Sequence, residues 1–399
     1  MTVPYSLIED AAERSSPSDG SFREMSSSYA VEWSYGSPVK IAVLGHLKFP
    51  IAAPFPGGLE RHTHAMVSGL QARGHEVTLY AAEGADARLS PVALCAPTGP
   101  HTGDPAPDAA IDAIEESAYR TMVDAVRGGG FDIVHANCLH DLPLREAGSL
   151  GAPMLVVLHV PRFEPFAGAV RQAAPHATML AVSRQLAELW RGVAEEFVIV
   201  PNGVDLDVFR PLPDTLPEGR PPRAFWSGRL SHEKGLHLAI DAARLAGLEL
   251  AFAGPRADDA YWRDEIAPRL GPGVRDLGHL GEEGLVENLD GASVAVVSPL
   301  WEEPFGLVVL EALACGAPVA AFTRGAVPDI LDAKSGRLAR PDDVPDLARA
   351  MREATTLDRA ACRARAERYG IDRMLDAYEE VYRRMTGGTA SLDLETWSG

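Results

Sequence analysis

The chain has 399 residues, 46% of them hydrophobic and 7% aromatic, which is too long for one average core and too apolar for general disorder, so two domains are expected. Its 37 basic and 56 acidic residues leave a formal net charge of -19, which repels a phosphate backbone and argues against nucleic acid as a partner. Cys95, Cys138, Cys315 and Cys362 are widely spaced without a C-x-x-C pair, and no run of about 18 apolar residues occurs, so neither a zinc ribbon, a disulfide framework nor a membrane span is signalled.

A cytoplasmic setting fits this composition, with peripheral attachment to a membrane as the variant. Residues 1–38 mix Ser, Glu, Asp and Arg without a signal-peptide core and read as a flexible leader, with Trp33 and Tyr35 resting on the surface. From Val39 the pattern changes. The apolar run VKIAVLGH, a loop rich in Gly and Pro, and a periodic segment over Leu59–Ala72 give strand, loop and helix. Gly74 suits a left-handed helix cap before a strand over His75–Ala81. A helix follows over Pro107–Arg127, then strands at Phe131–His135, Met154–His159, Met179–Val182 and Phe197–Val200. Apolar strands alternating with amphipathic helices predict a doubly wound parallel sheet.

Pro211–Pro222, with five prolines and no periodicity, is the expected linker. The alternation then restarts. Strands are predicted at Ala224–Ser227, Leu248–Ala253, Val274–Leu277, Val294–Val297 and Pro318–Ala321, with helices at Lys234–Leu245, Tyr261–Leu270, Glu282–Leu289 and Leu307–Ala314 between them. Helices at Val344–Thr356, Arg359–Tyr369 and Arg373–Met385 close the chain. The domains expected are thus 39–212 on the acceptor side and 213–370 on the donor side, followed by 371–399, whose helix crosses back onto the first domain ahead of a short tail. The fold class is α/β, two Rossmann-like domains whose strand ends face one cleft.

Three segments carry chemistry. In SGRLSHEKGL a strand delivers Gly228 and Arg229, and Lys234 follows at a helix start, so a guanidinium fork and an ammonium can together neutralise a diphosphate. In WEEPFGLVVLEALACGAPV the loop Glu303-Pro304-Phe305-Gly306 runs into a helix, leaving the N-H groups of Gly306 and Leu307 for an anion. Glu303 and Glu311 then reach opposite ends of an extended ligand, a sugar and a ribose with the diphosphate between them. In the first domain Gly57 and Gly58 let backbone approach phosphate or sugar closely, without forming a G-x-G-x-x-G dinucleotide fingerprint.

These segments, with Pro201-Asn202-Gly203-Val204-Asp205 ahead of them, resemble glycosyltransferase family 4 of the GT-B fold, whose E-x7-E element matches Glu303 and Glu311. The resemblance covers about residues 39–385. It implies that Glu311 binds the donor ribose, Glu303 the donor sugar, and Arg229 with Lys234 the diphosphate. It also implies that the Gly57-Gly58 loop closes from the opposite side and that His159, at the end of MLVVLH, stands near the anomeric carbon. Catalytic roles thus fall to His159, Arg229, Lys234 and Glu303, and donor binding to those last three with Gly57, Gly58, Gly228, Phe305, Gly306, Leu307 and Glu311. Ser183 is expected to face the cleft as well.

His140 and Asp141 are the acceptor candidates. His135, Cys138 and His140, or His62 with His64, lack four-ligand zinc spacing, so no metal and no cofactor is expected. Residues 324–330, RGAVPDI, depart from the family's G-G-x-P-E, with Ala326 for the second glycine and Asp329 for the glutamate; the loop is still expected to line the base or the donor sugar. The function implied is metal-independent transfer, with retention, from a nucleotide-diphosphate sugar to a hydroxyl of a small-molecule, glycan or lipid acceptor, UDP being preferred to GDP. The rivals are a GT-B nucleotide-sugar epimerase, a phosphorylase, and a catalytically inactive nucleotide-sugar binding module.

Overall fold

The computed structural model describes residues 38–212 and 222–387, so the leader before residue 38, most of the expected linker and the tail beyond 387 lie outside the described residues. The first sheet contains β1 (Lys40–Leu44), β2 (Glu76–Ala81), β3 (Val92–Ala93), β4 (Ile133–Ala136), β5 (Met154–Leu158), β6 (Ala177–Ala181) and β7 (Val198–Ile199). Its order is β3-β2-β1-β4-β5-β6-β7, parallel throughout. The second sheet contains β8 (Arg223–Ser227), β9 (Glu249–Ala253), β10 (Val274–Asp276), β11 (Val294–Val297), β12 (Val319–Phe322) and β13 (Gly336–Ala339). These pair in parallel in the order β10-β9-β8-β11-β12-β13.

Burial explains why these runs are strands. Every residue of β5 and of β11 is buried, as expected when helices cover both faces of a parallel sheet. The helices begin and end where local chemistry directs. Asp343 caps the helix Val344–Ala354 by accepting the Asp346 N-H at 2.9 Å, and Gly74, at φ 89, closes the helix Gly58–Ala72 in the left-handed conformation foreseen for it. The stretch foreseen as one helix over Tyr261–Leu270 is instead three short helical pieces in succession, Asp259–Tyr261, Trp262–Ile266 and Ala267–Arg269, with Pro268 in the last.

The helix Ile371–Met385 packs against the helix Gly58–Ala72 of the first domain. Arg73 donates to Asp376 at 2.6 Å and Glu379 at 3.1 Å, and a Cβ on Gly69 would meet Leu375 at 2.4 Å, so helix approach there is as close as glycine permits. The crossing begins at the PNGVD segment, where Val204 N donates to the Tyr369 carbonyl and Ile371 N to the Val204 carbonyl, both at 2.9 Å. One buried apolar cluster runs from Ile41 in β1 through Leu310 to Tyr378, so it crosses the boundary between the halves. No helix among the described residues is long and apolar enough to cross a membrane.

Candidate active site

In open parallel sheets ligands gather outside the strands' carboxyl ends, at the point where strand order reverses. Here those points lie between β1 and β4 and between β8 and β11. The loops from both reversals line one cleft of about 1090 Å³, which brings together His159, Gly57, Gly58, Gly228, Arg229, Lys234, Glu303, Phe305, Gly306, Leu307, Glu311 and His140.

The cationic wall comes from the turn after β8. Lys234 is in a short 3-10 turn, His232–Lys234, and the α-helix starts only at Leu236, two residues later than the sequence pattern indicated. The break is Gly235: it sits at φ 66, and a Cβ there would lie 2.0 Å from the Ser298 carbonyl oxygen. That close approach sets Lys234 beside the loop after β11. Its Nζ donates to Glu303 Oε2 at 2.7 Å and stands 4.7 Å from the Trp301 ring centre, while Trp301 Nε1 donates to the same oxygen at 3.0 Å. Arg229 Nη2 lies 3.3 Å from Glu233 Oε1, which also accepts from Ser231 Oγ at 2.6 Å.

Gly306, at φ 99, opens the helix Leu307–Ala314 and leaves first-turn N-H groups at the cleft. Across from them, a Cβ on Gly58 would be 3.4 Å from Leu307, so the glycine loop of the first domain reaches the helix start of the second. Phe305 belongs to the wall but is almost wholly buried, its ring edge-on to Tyr369. Glu311 is 4% exposed, and Arg61 Nη1 donates to its Oε1 at 2.7 Å. Burial pushes the Glu311 carboxyl above its ordinary range, and Arg61 offsets only part of that. The Arg61 guanidinium lies near the Phe55 and Phe209 rings, 5.5 and 5.3 Å from their centres. Arg61 and Trp301 went unforeseen: each adjoins a recognised motif, but no periodicity says where its side chain goes.

On the first-domain side His159 Nε2 lies 2.9 Å from Asn137 Oδ1, which His135 Nε2 approaches at 3.1 Å. His62 stacks edge-on to His159 at 4.9 Å. Burial lowers all three imidazoles, His62 to about 4, His135 to about 3 and His159 well below its ordinary value. His135, Cys138 and His140 do not converge: His135 and Cys138 are buried, whereas His140 stacks on Tyr119 at 4.3 Å; His64 pairs with Asp86 at 2.9 Å. No group of three or more His, Cys, Asp or Glu suited to one ion occurs among the described residues. His140 also lines a side cavity of about 440 Å³ with Asp141, Asp112, Glu116 and Phe166, so the acceptor candidates share that recess.

Two expectations need correction. Ser183 does not line the cleft; its hydroxyl donates to the Pro304 carbonyl at 2.6 Å and caps the helix Arg184–Leu189, because a serine at a helix start has backbone partners nearer than solvent. Residues 324–330 do not line it either. That loop braces Glu303 from behind: Ala326 N donates to the Glu303 carbonyl at 2.9 Å, and Gly325 N to Glu302 Oε2 at 2.6 Å.

Residues 56–208 match the family model described as Glycosyltransferase Family 4, and residues 221–356 match Glycosyl transferases group 1. The chain is similar to glycogen synthase of Mycobacterium tuberculosis, 28% identical over 370 residues that cover 81% of this chain and 88% of the relative. It is also similar to D-inositol 3-phosphate glycosyltransferase of Mycolicibacterium smegmatis, 27% identical, covering 86% of this chain and 92% of the relative. Among solved structures, sucrose-phosphate synthase from Thermosynechococcus elongatus superposes with a TM-score of 0.72 at 22% identity, over 87% of this chain and 99% of that one, a likeness of fold.

Proposed function

The chain belongs to glycosyltransferase family 4, and from that premise we propose that it moves a sugar from a nucleoside-diphosphate donor, UDP in preference to GDP, to an acceptor hydroxyl with retention and without a metal ion. The observation that carries this reading is the Lys234–Glu303 pair at 2.7 Å, beside Arg229 and facing the helix start at Gly306. A diphosphate set there meets the cations and the first-turn N-H groups, and the sugar it bears is placed next to the Glu303 carboxylate. The charge that grows on the departing diphosphate is stabilised by groups already oriented, which is where the largest catalytic term is expected. Glu311 then stands at the ribose, and His159 at the donor sugar. A front-face route, in which the departing phosphate takes the acceptor's proton, needs no side-chain nucleophile.

The acceptor is proposed to enter past His140 and Asp141 from the side recess. The two relatives carry names that point to unlike acceptors, a glucan and an inositol phosphate, and both offer hydroxyl groups to such a recess. The test is a thermal-shift screen of UDP, GDP and their sugars, followed by donor turnover with candidate acceptors in excess EDTA. The expected result is stabilisation by one nucleotide and donor consumption only when an acceptor is present, with the anomeric configuration kept. Turnover abolished by EDTA, or donor converted without acceptor, would overturn the proposal and favour metal-dependent or epimerase chemistry respectively.

A further inference from the structure

Behind His159 runs a chain of buried polar groups that the mechanism above does not use. Asn137 Oδ1 is approached by His159 Nε2 at 2.9 Å and by His135 Nε2 at 3.1 Å, and His135 Nδ1 meets the Tyr382 hydroxyl at 2.6 Å. Tyr382 belongs to the returning helix Ile371–Met385, so the chain spans from the C-terminal crossing to the cleft wall. His135, Asn137 and Tyr382 are each at most 1% exposed, and their polar groups find hydrogen-bond partners in one another.

The direction of each hydrogen bond follows from the chemistry of the ends. Asn137 turns its amide nitrogen toward Thr63 Oγ1, at 3.3 Å, and Met66 Sδ, at 3.9 Å. A thioether accepts but never donates, so this orientation is favoured over the flipped one, which would set oxygen against sulfur. The amide oxygen therefore faces both imidazoles, and because it only accepts, both Nε2 atoms carry hydrogen. A neutral His135 protonated at Nε2 has its lone pair on Nδ1, where the Tyr382 O-H donates. The chain closes without conflict. Burial supports neutral rings and a protonated phenol, since it lowers the imidazoles and raises the Tyr382 hydroxyl well above its ordinary value.

We propose that Tyr382, His135 and Asn137 are positioning residues that fix His159 as the neutral Nε2-H tautomer, so that an unprotonated Nδ1 is presented to the cleft as a hydrogen-bond acceptor. His159 lines the cleft and its Nε2 is committed to Asn137, which leaves Nδ1 as the nitrogen available to a ligand. Its neighbours act in the same sense. His62, at 4.9 Å ring to ring, and His135 both oppose a positive charge on it. An accepting Nδ1 can orient a hydroxyl of the donor sugar, and it cannot hand a proton to the departing diphosphate near neutral pH, so the growing charge there is left to Arg229 and Lys234 to offset electrostatically while the proton comes from the acceptor hydroxyl. The role at the sugar rests on the donor-site reading above, whereas the tautomer does not.

The experiment is nitrogen-15 NMR of the full chain labelled at histidine, recorded without added nucleotide, with His159→Gln used to identify the His159 signals. The expected spectrum places the His159 proton on Nε2 and keeps it neutral between pH 6 and 8, a range set by the assay. A proton on Nδ1, or an imidazolium in that range, would overturn the proposal. Tyr382→Phe is the second variant. With its fold verified by circular dichroism, it should give His159 a mixture of tautomers and lower kcat about fivefold, the worth of one neutral hydrogen bond, with donor KM nearly constant. An unmixed Nε2-H signal in that variant would remove Tyr382 and His135 from the relay. If the tautomer is as stated but nucleotide binds elsewhere, the donor-site reading fails and the tautomer assignment stands.

Discussion

Arg61 Nη1 stands 2.7 Å from Glu311 Oε1, joining the first helix of one domain to a buried carboxylate of the other. Arg61→Met keeps the apolar stem and deletes the charge. It leaves Glu311 buried without its cation, and a carboxyl already raised by burial rises further. Donor KM should increase about tenfold or more, the scale of a lost hydrogen bond to a charged group, and the acid limb of donor binding should move to higher pH. Titration calorimetry with the nucleotide across pH 5 to 8, chosen as the assay range, checks both; an unmoved limb would separate Arg61 from the ionisation of Glu311.

Lys234→Met and Glu303→Gln act on one pair with different consequences. The first removes a cation from the proposed diphosphate site and should lower kcat by about a hundredfold or more, as loss of one preorganised electrostatic contact does. The second keeps an acceptor for Trp301 Nε1 but alters the partner of Lys234 and of the sugar hydroxyl. It should lower kcat/KM with little change in nucleotide-diphosphate affinity. Steady-state kinetics beside binding of the nucleotide alone distinguishes them, and equal turnover in either variant and the parent would refute the assigned site.

His62 and His135, both buried, and the half-buried His159 give a stability profile with a definite sign. Their folded values lie below the ordinary imidazole value of 6.5, His62 near 4 and His135 near 3, so the unfolded chain binds protons first as pH falls. Their contribution is intact above pH 6.5 and is lost progressively below it, by at most about 1.4 kcal/mol per pH unit for each ring. Glu311, whose carboxyl is raised, works in the opposite sense but is a single group. Urea midpoints should drop from pH 7 to pH 5, and His62→Leu should flatten that slope. A midpoint unchanged over the interval would contradict the burial argument.

Gly325→Ala tests the brace behind Glu303. The residue sits at φ 54, and a Cβ would stand 2.1 Å from the Glu303 carbonyl oxygen. The substitution should cost about 1–3 kcal/mol in strain and displacement, and weaken donor binding as well. Gly247→Ala is the control: φ is 72 there, but nothing lies within 4 Å of the added carbon, so stability alone should fall. Thermal unfolding with and without nucleotide separates the two effects, and equal donor affinity in both variants would free the brace of any role at the site.

Most strands of the parallel sheets were legible because fully buried strands such as β5 and β11 are apolar over their whole length, whereas the exposed two-residue β3 and the half-buried β13 carry no such signal and were not foreseen. The helix Leu307–Ala314 matched its expected bounds, since a left-handed glycine and a buried apolar face define it. The helix start was placed two residues early, at Lys234, because the contact that breaks the helix there is Ser298, 63 positions from Gly235, and long-range approach leaves no periodic trace. For the same reason Arg61 was invisible as a partner of Glu311, and Asn137 as the link between two histidines. Ser183 and the 324–330 loop show the converse. Position at a strand end brings a residue near the cleft, while its own hydrogen-bonding capacity decides whether it faces ligand or backbone.

The returning helix has a consequence for synthesis on the ribosome. Arg73, Gly69 and His135 receive their partners from residues 371–385, so a nascent chain that has completed the first sheet still carries an uncovered helix flank and an imidazole lacking its phenol. The earlier half attains its finished form only after the later half has emerged, and a protease that severs the crossing before then would meet a partner surface still open.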